Sequence, residues 1–363
     1  MRSEMTDEER VRLDAAVKPV DGFFTTFFVS PYSRYIARWA ARRGLTPNQV
    51  TIAALVIGLL SAAAFATGER WGLIAGAVLL QLAFTADCVD GQLARYTRNF
   101  SALGGWLDAT FDRGKEWLVY AGLAIGSGHV WVLAGAALTL QTVRHTVDFC
   151  WQDVRGDATA QLGRWDANPG ALVWVKRIVA FPIGERFATI SITAAIWSPR
   201  TTFIVLLAWG GFAALYGTTG RILRWRRLRG EAHADVARQR DDGPLARRVL
   251  ADANGWLVPP LLRALEYGAI VTFGALAGEH SKPAAFALIA ALALRHYDIV
   301  YGLRYRAARP PAAMAGWEGR IVLAALLLVI GALPAGFYAL AAIIAAVSIT
   351  GAIRDWTMKR RHA

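Results

Sequence analysis

The sequence predicts an all-α integral membrane protein, a six-helix bundle followed by three or four further transmembrane helices. Three observations carry that prediction. Of the 363 residues, 55% are hydrophobic, and the mean hydropathy of +0.34 lies above that of ordinary soluble domains. Apolar runs of about twenty residues recur, the length needed to cross a hydrocarbon core of about 30 Å. Cationic residues collect where those runs end, as at Arg38, Arg42 and Arg43 or along Arg221 to Arg229. That placement explains the net charge of +13 by the positive-inside rule and attraction to anionic headgroups. Membrane lipids are therefore the expected partner, and nucleic acid is not. Cys88 and Cys150 offer neither a disulfide framework nor zinc spacing and read as small buried hydrophobes.

Taken in order, residues 1–24 form a polar segment. It begins M-R-S-E-M-T-D-E-E-R, with no apolar stretch behind it that would suggest a cleavable signal. Residues 25–43 set Phe27, Phe28, Tyr35, Ile36 and Trp39 against Arg34, Arg38 and Arg42, the pattern of a helix lying in the interface. Leu45-Thr46-Pro47-Asn48 then provides a cap followed by proline at the first helical position. Spans are expected near 48–67, 71–95, 104–126, 129–151, 179–197 and 201–223, completing a domain over 25–225. An inside start puts the acidic residues of the second and third spans near the cytoplasmic face of the cell membrane. Gln152 to Lys176 is too polar to be buried. A linker over 226–252 leads to a second membrane region, 253–363, with spans near 256–277 and 283–303. The stretch Ile321–Ile353 would reach about 50 Å as one helix, so a break at Gly331-Ala332-Leu333-Pro334 is expected to make two short spans.

Chemistry concentrates in D-C-V-D-G-Q-L-A-R-Y-T-R-N-F-S-A-L-G-G-W-L-D-A-T-F-D, from Asp87 to Asp112. A carboxylate at membrane depth is costly unless its charge is cancelled. Asp87, Asp90, Gly91 and Ala94 share one helical face, as do Gly104, Asp108 and Asp112. Two facing helices would thus converge four carboxylates on one pocket, and hard oxygen donors suit Mg²⁺ or Mn²⁺ and not zinc. Gly91, Ala94 and Gly104 remove bulk beside the acids, leaving room for a flat ligand. Two ions bridging carboxylates and phosphate oxygens would stabilise an in-line displacement on a pyrophosphate. A carboxylate set off the ions would take the proton of an attacking hydroxyl. Arg95 is placed to pair with a phosphate or to hold an aspartate.

These residues resemble the CDP-alcohol phosphotransferase signature, D-x-x-D-G-x-x-A-R-x(8)-G-x-x-x-D-x-x-x-D, at all eight specified positions. The preceding L-T-P-N-Q-V-T is similar to the family's entry to its first span. The resemblance implies transfer of a phosphoalcohol group from a CDP-alcohol donor to an acceptor hydroxyl, with CMP leaving. It implies that Asp87, Asp90 and Asp108 hold metal, and that Asp112 completes the metal site and acts as general base. Gly91, Ala94 and Gly104 would border the nucleotide, with Asn48 and Thr51 (and Pro47) nearby, and a homodimer is implied as well. The long segment after the fourth span and the C-terminal region depart from the family outline and leave the acceptor open, a polyol phosphate or a lipid.

Other residues carry two readings each. Arg113 and Lys115 either hold an acceptor phosphate or snorkel to the interface. Lys176, Arg177 and Arg186 either bind acceptor, beside a helix break at Pro182 and Gly184, or Arg186 pairs internally with Glu185. Arg144, His145 and Asp148 either face the same cavity or mark the water boundary. Arg295, His296, Asp298, Tyr301 and Arg304 read as a packing contact to the core or as a separate site. At the level of function, a phosphatidyl-type transferase of phospholipid synthesis leads, and a transferase of soluble CDP-polyols is the alternative. A prenyltransferase would place its acidic motifs far apart in the chain, and a carrier commonly shows an internal repeat that is missing here.

Overall fold

The computed structural model describes residues 6–155, 170–228, 239–250, 255–302 and 314–361. Most of the Gln152–Lys176 stretch, part of the linker, and Arg304 with the loop after it lie outside the described residues. Within them the protein is all-α, with no strand. The helices are α1 (Asp7–Ala15), α2 (Ser30–Arg42), α3 (Pro47–Ala66), α4 (Arg70–Thr97), α5 (Ala102–Ser127), α6 (Trp131–Arg155) and α7 (Ala171–Ala180). They continue with α8 (Ile183–Ile196), α9 (Pro199–Leu228), α10 (Pro244–Val249), α11 (Val258–Leu276), α12 (Ser281–Tyr301), α13 (Gly316–Val329) and α14 (Leu333–Arg361). Among the described residues, five helices are long and apolar enough to cross a membrane, or six if the bent pair α7 and α8 counts as one broken span. The described residues divide into two compact units, one within Met1–Ser127 and Leu162–Leu206, the other within Gly128–Gln161 and Leu207–Ala363.

In the first unit α3 begins as its sequence dictates. Thr46 caps it by accepting from the Gln49 amide at 3.3 Å while Gln49 returns a bond to the Thr46 amide at 2.9 Å, and Pro47 occupies the first turn. In lipid, helices associate by close packing of small residues more than by the hydrophobic effect, and α3 meets α5 in this way. A Cβ on Gly122 would stand 2.2 Å from the Ala62 carbonyl oxygen, so only glycine permits this approach. Between α3 and α4, Ser61 donates to the Gly76 carbonyl at 2.7 Å, which satisfies a buried hydroxyl.

The interfacial segment is a π-helical turn, Thr25–Val29, running into α2. Phe27, Phe28, Tyr35, Ile36 and Trp39 are exposed, and the buried face is made of Ser30, Ser33, Ala37 and Ala40. Ser33 donates to Gln92 of α4 at 2.9 Å. The arginines do not simply face water. Arg38 forks onto Glu9 with both bonds at 2.6 Å, and Arg34 pairs with Asp14 at 2.5 Å. The segment expected to be merely polar thus contains α1, docked by ion pairs and by the buried Leu13 and Ala16.

The fifth expected span is two helices. α7 already begins at Ala171, inside the stretch read as polar, because Ala171 to Val175 is an apolar run that the neighbouring charges obscure. It ends at Phe181 in the left-handed region (φ 54°), Pro182 starts α8, and the two axes differ by 67°. Glu185 accepts from the Phe23 and Phe24 amides at 2.6 and 3.3 Å, tying the bend to the start of the aromatic segment.

In the second unit, Trp151 of α6 packs edge-on against Trp256 with centroids 5.2 Å apart, above buried Cys150 and Val147. The last apolar stretch breaks at Gly331 (φ 72°), where the sequence placed the break. Only the first half is short, however; α14 runs for 29 residues. The polar residues of α12 turn onto the linker and its neighbours. Asp241 accepts both arms of Arg295 at 2.9 and 2.7 Å and lies 3.0 Å from Arg320, while Arg320 bonds Glu266 at 2.6 Å. Tyr267 and His296 are 2.6 Å apart, and Tyr297 bonds His145 of α6. Asp148 pairs with Arg221, and Arg144 donates to Gln141 at 3.1 Å.

Candidate active site at the acidic hairpin

α4 and α5 form the hairpin that carries the four aspartates. Along α4, Asp87 and Asp90 are one turn apart; along α5, Asp108 and Asp112 are again one turn apart. Asp87, Asp90 and Asp108 each bring a carboxylate oxygen within 4.8 Å of the other two. Oxygens on opposite sides of a magnesium-sized ion stand about 4.2 Å apart, so this group fits a hard divalent cation with small side-chain adjustment. Thr51 of α3, itself buried, donates to Asp90 Oδ2 at 2.6 Å and so fixes that carboxylate. On α5, Gly104 faces Asn48, and a Cβ there would stand 2.8 Å from Asn48 Oδ1. Asp112 lies beside Lys115, whose Nζ is 2.9 Å from Asp112 Oδ1 and also contacts Asp87 Oδ1.

A small-residue border, two acid-bearing helices and a threonine-oriented carboxylate stand together here. Residues 44–226 match the CDP-alcohol phosphatidyltransferase family. The chain belongs to that family. Residues 242–363 match a second family, described only as a family of unknown function (DUF5941). Among characterised relatives of the phosphatidyltransferase part, the chain is 33% identical over 128 residues to the archaetidylinositol phosphate synthase of Pyrococcus horikoshii, covering 35% of this chain and 66% of that one. It is 43% identical over 94 residues to the phosphatidylinositol phosphate synthase of Mycolicibacterium smegmatis, covering 25% and 40%. It is 39% identical over 84 residues to the bifunctional IPC transferase and DIPP synthase of Rubrobacter xylanophilus, covering 23% and 19%. The chain therefore spans less than two thirds of the length of each of these relatives.

The remaining candidate residues are placed as follows. Gly91 lies against Arg95, since a Cβ on it would meet the Arg95 guanidinium at 3.4 Å. Arg95 donates from Nε to the Ala16 carbonyl at 2.5 Å, so the chain before α2 helps to aim it. Ala94 is half-buried one turn on. Arg113 lies 3.9 Å from Glu116, and Arg186 forks onto the same Glu116 at 2.8 and 3.1 Å. Arg186 is thus an internally paired residue, as its second reading had it, but with Glu116 and not Glu185. Both its arms are spent on that carboxylate and on the Phe181 carbonyl at 3.1 Å. Arg177 is buried over the Trp174 ring and donates to the Asp21 carbonyl at 3.2 Å, whereas Lys176 is exposed.

Sequence reasoning underrated Lys115 and missed Gly58. Lys115 does not reach toward water as a snorkelling side chain would. Its side chain is 0% exposed, and it is held among the acids. The signal was present: Lys115 follows Asp112 by three and Asp108 by seven, one helical face. Gly58 of α3 gives the lysine stem its space, because a Cβ there would stand 2.9 Å from Lys115 Cγ.

Proposed function

We propose that the protein is an integral-membrane transferase that moves a phosphoalcohol group, of phosphatidyl type, from a CDP-alcohol to an acceptor hydroxyl. The convergence of Asp87, Asp90 and Asp108 within 4.8 Å, inside a complete family signature, carries this reading. Asp87, Asp90, Asp108 and Asp112 would hold divalent ions, Mg²⁺ or Mn²⁺, which would supply neutralisation of the donor diphosphate and of the charge on the leaving group. Thr51 keeps Asp90 turned toward the pocket. Gly91, Ala94 and Gly104 leave the space that the cytidine nucleotide occupies, with Asn48 at its edge and Arg95 beside its phosphates. Asp112 takes the proton of the acceptor hydroxyl as that oxygen bonds to the phosphorus bearing the alcohol. The bond from that phosphorus to the CMP oxygen breaks, and CMP departs with the electron pair.

The site opens toward the cytoplasmic interface, given the arginines that close the sixth span on that side. The names of the relatives favour a lipid product and a phosphorylated polyol, such as inositol phosphate, as acceptor, with Lys176 and Arg113 as candidate phosphate contacts. The test is a donor–acceptor matrix with purified protein, following CMP. Metal-dependent CMP release with CDP-diacylglycerol and a polyol phosphate, giving a lipid-soluble product, is expected. Turnover of water-soluble CDP-polyols alone would replace the phosphatidyl reading, and no CMP from any pair would remove the transferase. Asp112→Asn should lower CMP release by about 10²–10⁴-fold while Mn²⁺ still binds; near-normal turnover would remove the general-base assignment.

A further inference from the structure

We infer that Lys115 is a resident cation that occupies the place of a second metal ion, so that the resting site takes one divalent ion and not two. This rests on the acidic hairpin being a metal site. The observation is the position of the ammonium. It sits between Asp87 and Asp112, in contact with the first and 2.9 Å from the second, while the three oxygens that converge for a cation belong to Asp87, Asp90 and Asp108. A fully buried ammonium persists only where opposite charge surrounds it, since removal from water costs several kcal/mol. Here the aspartates supply that charge and Gly58 supplies the room.

Electrostatics decides the count. Four carboxylates with Lys115 among them retain enough negative charge to hold one divalent ion almost to neutrality. A second ion would make the resting cluster positive and would press against the ammonium at a separation where like charges repel strongly in a low-dielectric site. The second ion therefore waits until Lys115 is displaced, as when the donor diphosphate brings its own negative charge. Lys115 is a positioning residue and selects the occupancy of the site.

The experiment measures Mn²⁺ bound per chain, by electron paramagnetic resonance and calorimetry, on the full-length protein in nanodiscs without nucleotide. The wild type should bind about one tight ion and Lys115→Met about two. In metal-free buffer Lys115→Met should melt below the wild type, and Mn²⁺ should restore it. Gly58→Ala keeps the charge but pushes a Cβ against the lysine stem, so it should raise occupancy in the same direction, and it carries the test if Lys115→Met does not fold. Two tight ions on the wild type, or no gain in either variant, would overturn the assignment and leave the transferase reading intact. No ion on any of the three chains would overturn both.

Discussion

At the scale of single residues, the site is held by partners that lie far away in sequence. Thr51 illustrates this, since its hydroxyl comes from α3 and its acceptor, Asp90, from α4. Groups that orient a metal-binding carboxylate are commonly worth 10–100-fold in metal affinity. Thr51→Val keeps the shape and removes the donor, so Mn²⁺ affinity should fall by about that factor with little change in melting temperature. An unchanged titration would mean that Asp90 needs no such support. The aspartates themselves were legible in the sequence because helical period places i, i+3 and i+4 on one face, and that arithmetic needs no tertiary knowledge. That Lys115 shares the acidic face was legible from its spacing, but the room that Gly58 leaves for its stem was not. A lysine beside an acidic motif reads equally as a phosphate ligand or a snorkelling side chain until the neighbouring helix shows whether it leaves space.

Among the elements, α1 departs most from expectation. Its sequence is acidic and polar, so nothing in its periodicity marks it as docked; its docking partners are Arg38 and Arg42, twenty-nine and more residues away. Hydrogen bonding from Arg38 holds Glu9 well below the ordinary 4.5, at about 2. A carboxylate made more acidic by folding contributes its full hold above 4.5 and loses it as pH falls from 4.5 through about 2. A spin label on Val11→Cys, an exposed position of α1, should therefore become mobile across that window, and a spectrum constant down to pH 2 would show that Leu13 and Ala16 suffice. The bend between α7 and α8 was legible, because proline removes a donor and fixes the backbone wherever it stands. The long reach of α14 was not, because a glycine break says where a helix starts and nothing about where it stops.

For the molecule as a whole, the family match over 44–226 and the two compact units do not coincide. Helix α6 and the part of α9 beyond Leu206 group with the C-terminal helices, and hydropathy alone, which counts spans without pairing them, had no means of finding that. The second unit has its own polar centre. Burial pushes the Asp241 carboxyl up, but Arg295, His296 and Arg320 more than reverse this and hold it well below the usual carboxylate range. Asp241→Asn leaves two buried guanidinium groups short of charge, which should cost about 3–5 kcal/mol and appear as a lower melting temperature. Retention of the wild-type temperature would mean that Glu266 alone neutralises the cluster.

The grip of the first helix on the end of α4 has a practical consequence. Arg12 donates to the Tyr96 carbonyl at 2.7 Å, and the Ala16 carbonyl receives Arg95. A shortened version beginning at the aromatic segment would keep every residue of the signature and still lose the clasp that aims its arginine. Trimming that polar segment for crystallisation would thus leave the Arg95 guanidinium without its anchor at the Ala16 carbonyl.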